Sequence, residues 1–223
     1  MGFDRALSKA VLDAGLAVAA EGGDRAALTE RLSTIVSKTE AKGRTGAHVA
    51  RTWVTPAPRA TGFIAWAVEN RELDPGRALL HFGALLATEP FVVPIAAAAS
   101  KQVERDGAVD PDRMKRELRR AVGDDDAAAK GIDNVLDTFR SVGLLLGTAE
   151  RPLWGRLSVP KTLGGWLTHA LLLARHASEL EIREWRTAPE LGVLGRRPTG
   201  GAHGYPLLEL HQRGGRMVAA ERS

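Results

Sequence analysis

The sequence predicts a mainly α fold, a helical bundle that gives way to short β structure, and three observations predict it. Apolar residues recur every three or four positions through most of the chain up to Val142, the period of a helix with one buried face. Asp-Pro, Glu-Pro and Gly punctuate that pattern where helices start and stop. Strand-like segments appear only after Gly143 and around Gly214-Gly215.

Phe3 to Ala20 reads as the first helix, with Phe3, Leu7, Val11, Leu12, Ala14 and Val18 on its stripe. Glu21-Gly22-Gly23 ends it. Asp24 caps a second helix that runs to about Lys38 and buries Leu28, Leu32, Ile35 and Val36. Gly43 to Thr45 is a turn and Gly46 to Val54 a short third helix, after which Pro56 and Pro58 break the chain. Gly62 to Asn70 is helical. Asp74-Pro75 starts the next helix, because Asp caps free amides and Pro fits the first helical position. Glu89-Pro90 leads into an Ala-rich helix that Asp106-Gly107 ends. Asp110-Pro111 repeats the start, with Met114 and Leu118 facing inward. Asp124 to Asp126 opens the most strongly patterned helix, whose stripe is Ala128, Ile132, Val135, Leu136, Phe139 and Val142, and Gly143 caps it. Leu144–Leu146 and Leu153–Pro160 read as two short strands around a polar loop. Leu163 to Trp185 returns to helix, and Tyr205–His211 pairs with Arg216–Ala220 as a hairpin. The expected organisation is an N-terminal helical part (1–58), a helical core (59–186) and a Gly- and Pro-rich segment (187–223).

Composition narrows the function classes. The chain has 223 residues, 44% of them hydrophobic, enough for a packed core. It has no cysteine, which excludes disulfides, thiolate nucleophiles, zinc fingers and iron–sulfur ligation. A cysteine-free chain fits a reducing compartment, so a cytoplasmic protein is expected. Asp4, Arg5, Lys9 and Asp13 interrupt the N-terminal apolar residues, which therefore form an amphipathic helix and not a secretory leader. The longest apolar runs, Phe91–Ala99 (broken by Pro94) and Ala170–Ala174, fall short of the roughly 20 residues of a membrane span. The formal charge of +4 permits an anionic partner without requiring one. Arginine outnumbers lysine, which suits bidentate phosphate contacts and equally suits the composition of a GC-rich genome.

The segment 110–160 carries the functional expectation. Its order is helix, acidic turn, amphipathic helix ending in Gly, then a two-stranded hairpin, which is the order of a winged helix-turn-helix. The expected fold class is therefore mainly α, a helical bundle with a winged helix-turn-helix-like part and a short β hairpin. In such a domain one helix enters the major groove and the wing touches flanking backbone. Arg113, Lys115, Arg116, Arg119 and Arg120 place five cations on one short helix against Glu117 alone between them, and Arg151 and Arg156 sit in or beside the wing. The helix that would read bases is acidic at Asp124, Asp125, Asp126, Asp133 and Asp137, and offers Lys130, Asn134, Thr138 and Arg140 outward. A second basic stretch joins Lys38, Lys42, Arg44, Arg51 and Arg59, opposed only by Glu40, with Thr45, His48 and Thr52 as neutral donors and Trp53 as an aromatic face. That stretch reads equally as a solvated face beside a Pro-rich linker.

The order of elements is similar to the BrxA family, small accessory proteins of bacterial BREX phage-defence systems. The similarity rests on Arg44-Thr45 with Arg51, on Leu79–Pro90, and on Leu118 through Leu145. It spans about two-thirds of the chain and leaves the part from Thr187 unmatched. It implies double-stranded DNA binding within a multi-protein assembly and no catalysis by this subunit.

The sequence contains no Walker loop, Gly-x-Gly-x-x-Gly, His-Glu-x-x-His or Gly-x-Ser-x-Gly. His169 and His176, seven apart, share one face of the expected helix without a carboxylate to complete a metal site. Gly200–Tyr205 reads as a surface loop. The expectation is a non-enzymatic protein with no cofactor and no metal. It binds double-stranded DNA, works with other proteins and does not engage a membrane. A protein-interaction scaffold, a winged-helix transcription regulator and an RNA-binding helical protein are the alternatives.

Overall fold

The first helix begins later than the apolar stripe suggests. In the computed structural model, which describes residues 2–74, 76–123, 125–148, 152–154, 157, 159–194 and 204–222, α1 is Lys9–Ala20, and the Ser8 side chain accepts from the Val11 amide to cap it. Residues 2–7 are not helical. Phe3 and Leu7 are buried all the same, so their spacing marks core packing without a helix. The second helix, α2 (Arg25–Leu32), also stops early. Ser33 and Thr34 turn their hydroxyls back onto the carbonyls of Thr29 and Arg31, the local competition that makes these residues poor helix interiors. Ser37 then restarts the chain with a capping box to Glu40, giving α3 (Lys38–Lys42). The third predicted helix begins earlier than expected, as α4 (Arg44–Val49), and ends in a π-wound turn over Ala50–Val54.

The middle of the chain follows the punctuation, except that the helix expected to start at Asp74-Pro75 begins at Ala78, after Arg77 at φ 59°. The elements are α5 (Thr61–Glu69), α6 (Ala78–Thr88), α7 (Val92–Asp106), α8 (Pro111–Val122) and α9 (Asp126–Ser141). Asp74 reaches past its neighbours, and its Oδ2 accepts from the amides of Leu79 and Leu80 at the start of α6. Gly143 closes α9 at φ 82°. Its amide reaches the Arg140 carbonyl while the Leu144 amide reaches that of Phe139, a paired arrangement that satisfies the last carbonyls and reverses the chain. Directly after it come β1 (Leu145–Gly147) and β2 (Pro152–Trp154), antiparallel, with Leu146 opposite Leu153.

The long helix expected from Leu163 to Trp185 is two helices with a strand between them. α10 (Lys161–Ala174) ends where His176 takes φ 51° and the Ala177 amide closes onto the Leu172 carbonyl. β3 (Glu179–Glu181) follows, then α11 (Ile182–Thr187) and a 3-10 turn over Pro189–Leu194. β4 (Leu208–Arg213) and β5 (Arg216–Glu221) form the expected hairpin across Gly214-Gly215, and β3 adds to the far edge of β5.

The fold is mainly helical with this small antiparallel sheet. Its buried apolar cluster draws on all three expected segments, from Phe3 through Leu167 to Ala219. Gly83 permits the close crossing of α6 and α10, since a Cβ there would lie 2.2 Å from the Trp166 ring on α10. Trp166 cannot yield easily: it stacks on Phe63 with centroids 4.5 Å apart, and its indole donates to the Phe63 carbonyl. No helix among the described residues is long and apolar enough to cross a membrane.

Candidate nucleic-acid interface

The α8 face is built from its own sequence. Asp110 caps the helix by accepting from the Arg113 amide at 3.0 Å, and Pro111 occupies the first turn. Met114 and Leu118 fix the inward side, so the helical period turns Arg113, Arg116 and Arg120 outward together. These cations are not equivalent. Arg113 is held by Glu117 at 2.8 Å and Asp106 at 2.9 Å. Lys115 turns sideways to Asp133 on α9 at 2.9 Å, and that hydrogen bond, opposed by burial, lifts its pKa above the usual lysine value. Gln102 donates to Glu117, and with Arg113 it holds that carboxyl below the usual range. Arg116, Arg119 and Arg120 are exposed, and Arg116 and Arg120 have no ion pair among the described residues.

A cleft of about 340 Å³ lies between α8 and the start of α9. Lys115, Arg116 and Arg119 line one wall, and Asp125 and Asp126 the other. Its mixed sign makes it a poor anion pocket by itself, because the aspartates repel what the arginines attract.

Of the four α9 residues expected to point outward, Asn134 and Thr138 are turned to the N-terminal segment instead. Asn134 Nδ2 donates to the Phe3 carbonyl at 3.0 Å. Thr138 Oγ1 accepts from the Leu7 amide at 2.8 Å and donates to the Asn134 carbonyl. Ser141 Oγ accepts from the Lys9 amide at 2.7 Å. The segment 3–9 therefore lies along this flank of α9, where it carries backbone groups to three side chains on one helical face. Arg140 pairs with Asp137 one turn away, and Lys130 is exposed. Arg151 and Arg156 lie outside the described residues.

The N-terminal basic stretch is largely neutralised by two acids from elsewhere in the chain. Arg44 pairs with Asp4 at 2.6 Å and Arg51 with Glu89 at 3.1 Å. His48 sits between those same acids, 3.1 Å from Asp4 and 2.9 Å from Glu89, with the Phe3 ring tilted against it. Burial would raise the Asp4 carboxyl, but the His48 hydrogen bond and the charges of Arg44 and His48 outweigh it and hold it low. Thr45 and His48 are buried, so neither presents a side chain to a surface ligand. Lys38 and Lys42 remain exposed on α3. Arg59 turns to Glu221 and the Ala177 carbonyl, fastening the C-terminal sheet.

The other polar clusters are internal. His81 Nε2 meets Asp13 at 2.9 Å, and Lys9 and Arg77 share that carboxylate. His169 meets the Tyr205 hydroxyl at 3.0 Å. Burial pushes His169 down to about 4, against the pull of Glu221. His176 sits past the end of α10, so it shares no helix face with His169. No group of three His, Cys, Asp or Glu among the described residues is placed to hold a metal ion. Trp53, Trp166 and Trp185 are core residues, and the side chain of Trp154 lies outside the description.

Exposed apolar side chains escaped the sequence reading, among them Ile35, which was expected on the buried face of the second helix and is 41% exposed. Leu146 and Leu153 face each other across the short hairpin at 54% and 41% exposure. The run Leu144–Leu146 carries no period that separates buried Leu144 and Leu145 from exposed Leu146, so the exposure was not legible in the sequence. Asp4 and Glu89 were missed as neutralising partners because they stand far from Arg44 and Arg51 in sequence. No protein-family model, no curated protein and no solved structure matches the chain.

Proposed function

We propose that this chain is a non-catalytic protein that holds double-stranded DNA by its phosphate backbone, with the outer face of α8 as the principal contact. The observation that carries this is the exposed trio Arg116, Arg119 and Arg120, of which Arg116 and Arg120 have no acidic partner among the described residues. The setting supports it. Three helices, α7 to α9, precede a two-stranded hairpin, the order of a winged helix-turn-helix. In helix-turn-helix domains the helix in the α8 position crosses the phosphate backbone. Lys38 and Lys42 are the remaining exposed cations of the N-terminal stretch and serve as a secondary contact. The similarity to the BrxA family supports a place as an accessory subunit of a phage-defence assembly, which phage plating on cells with and without the gene tests.

Fluorescence anisotropy on a labelled duplex, titrated at rising salt, is the test of DNA binding. Binding should be strongest at the lowest salt and fall steeply, because each neutralised phosphate releases counterions. No binding at low salt would sink the proposal.

A second reading, a protein-interaction scaffold, is favoured by the exposed Leu146–Leu153 pair. It predicts that Leu146→Ser with Leu153→Ser abolishes co-purification with partner proteins while duplex binding is unchanged.

A further inference from the structure

Resting on DNA binding through α8, we infer that the protein takes duplex DNA of any sequence, because α9 has no free face with which to read bases. A base-reading helix needs an outward stripe of groups that can pair with base edges and stand close to phosphates. Two features remove that stripe. First, Asn134, Thr138 and Ser141, one face by helical spacing, are spent on the backbone of Phe3, Leu7 and Lys9 at 3.0, 2.8 and 2.7 Å. The covering segment is anchored, since Phe3 and Leu7 are in the core and Asp4 is tied to Arg44 and His48. Second, the stripe that stays open carries Asp126, Asp133 and Asp137 against Lys130 and Arg140, and Arg140 is paired to Asp137. Asp133 is likewise paired, to Lys115, so the open stripe offers a base edge two committed ion pairs, Asp126, which phosphates repel, and Lys130 as its one cation without an ion pair among the described residues. Asparagine is the residue type best suited to pairing with adenine, and the only asparagine on α9 is the one bonded to Phe3. Contact then falls to α8, with Lys38 and Lys42 as the secondary contact, and cations that meet phosphates carry no sequence information.

The test uses the full chain in two experiments. Selection from a random duplex library should return no enriched motif, and unrelated duplexes of equal length should compete within a few-fold of one another. Hydrogen exchange with and without duplex should slow at α8 and leave residues 3–9 and α9 unchanged. A motif preferred by a hundredfold or more, or protection confined to α9, overturns the inference while leaving DNA binding intact. Failure to bind any duplex at low salt overturns both.

Discussion

Replacing Thr138 by Val tests the docking of segment 3–9 on α9, on which the sequence-blind reading rests. Thr138 is 1% exposed, and its hydroxyl accepts the Leu7 amide at 2.8 Å. Leu7 is itself fully buried, so no water replaces the lost acceptor. Valine keeps the branched shape and removes the oxygen. Leaving one buried donor unpaired costs about 1–3 kcal/mol, and the added methyl offsets a fraction of this, for a net loss of about 1.5 kcal/mol. In a chain of this size each kcal/mol moves the melting temperature by about 2–4 °C, so a fall of roughly 3–6 °C is expected. Calorimetry reads the shift, and native-state hydrogen exchange of the Leu7 amide reads its cause. An unchanged melting temperature together with unchanged Leu7 exchange would refute the docking.

Other consequences follow from the same contacts. Gly83→Ala places a Cβ 2.2 Å from a Trp166 ring that Phe63 holds from the other side, so overpacking should cost about 1–3 kcal/mol by denaturant titration; a neutral result would mean that the α6–α10 crossing is looser than described. Burial alone would raise Asp13, but hydrogen bonds from His81, Lys9 and Arg77 depress it well below the usual carboxylate value. Its contribution is then complete above the unfolded value of about 3.9 and is lost as pH falls further. The stability gap between the parent and Asp13→Asn should be constant from neutral pH down to that value and narrow below it. His169, pushed by burial from 6.5 to about 4, refuses a proton that the unfolded chain accepts. Stability should therefore decline as pH falls from 6.5 through about 4, and ring resonances of His169 that titrate near 6.5 would contradict its burial.

Local chemistry made much of this fold legible. Asp110-Pro111, Asp106-Gly107 and Gly143 act within a turn of themselves, and each ends or starts a helix where expected. The β4–β5 hairpin was legible for the same reason, because its turn is Gly214-Gly215. Non-local pairings were not. β3 is three residues long and finds its partner β5 about forty residues later, and nothing in Glu179–Glu181 announces that edge. Phe3 and Leu7 carried a helical spacing without a helix, because what they needed was the flank of α9. The candidate site divides the same way. The arginine stripe of α8 follows from period and was visible. The neutralisation of Arg44 and Arg51 by Asp4 and Glu89 comes from tertiary contact and was not.

The most direct measurement is duplex affinity against salt for the parent protein, for Arg116→Glu with Arg120→Glu, and for Arg44→Glu with Arg51→Glu. The α8 pair should bind far more weakly. Its slope of log affinity on log salt should be shallower by about 2, since each phosphate contact contributes about 0.9 to that slope. The Arg44 and Arg51 pair should change little at matched stability, because both side chains are already committed to acids. Equal affinity and equal slope for the parent and the α8 variant would contradict α8 as the DNA contact.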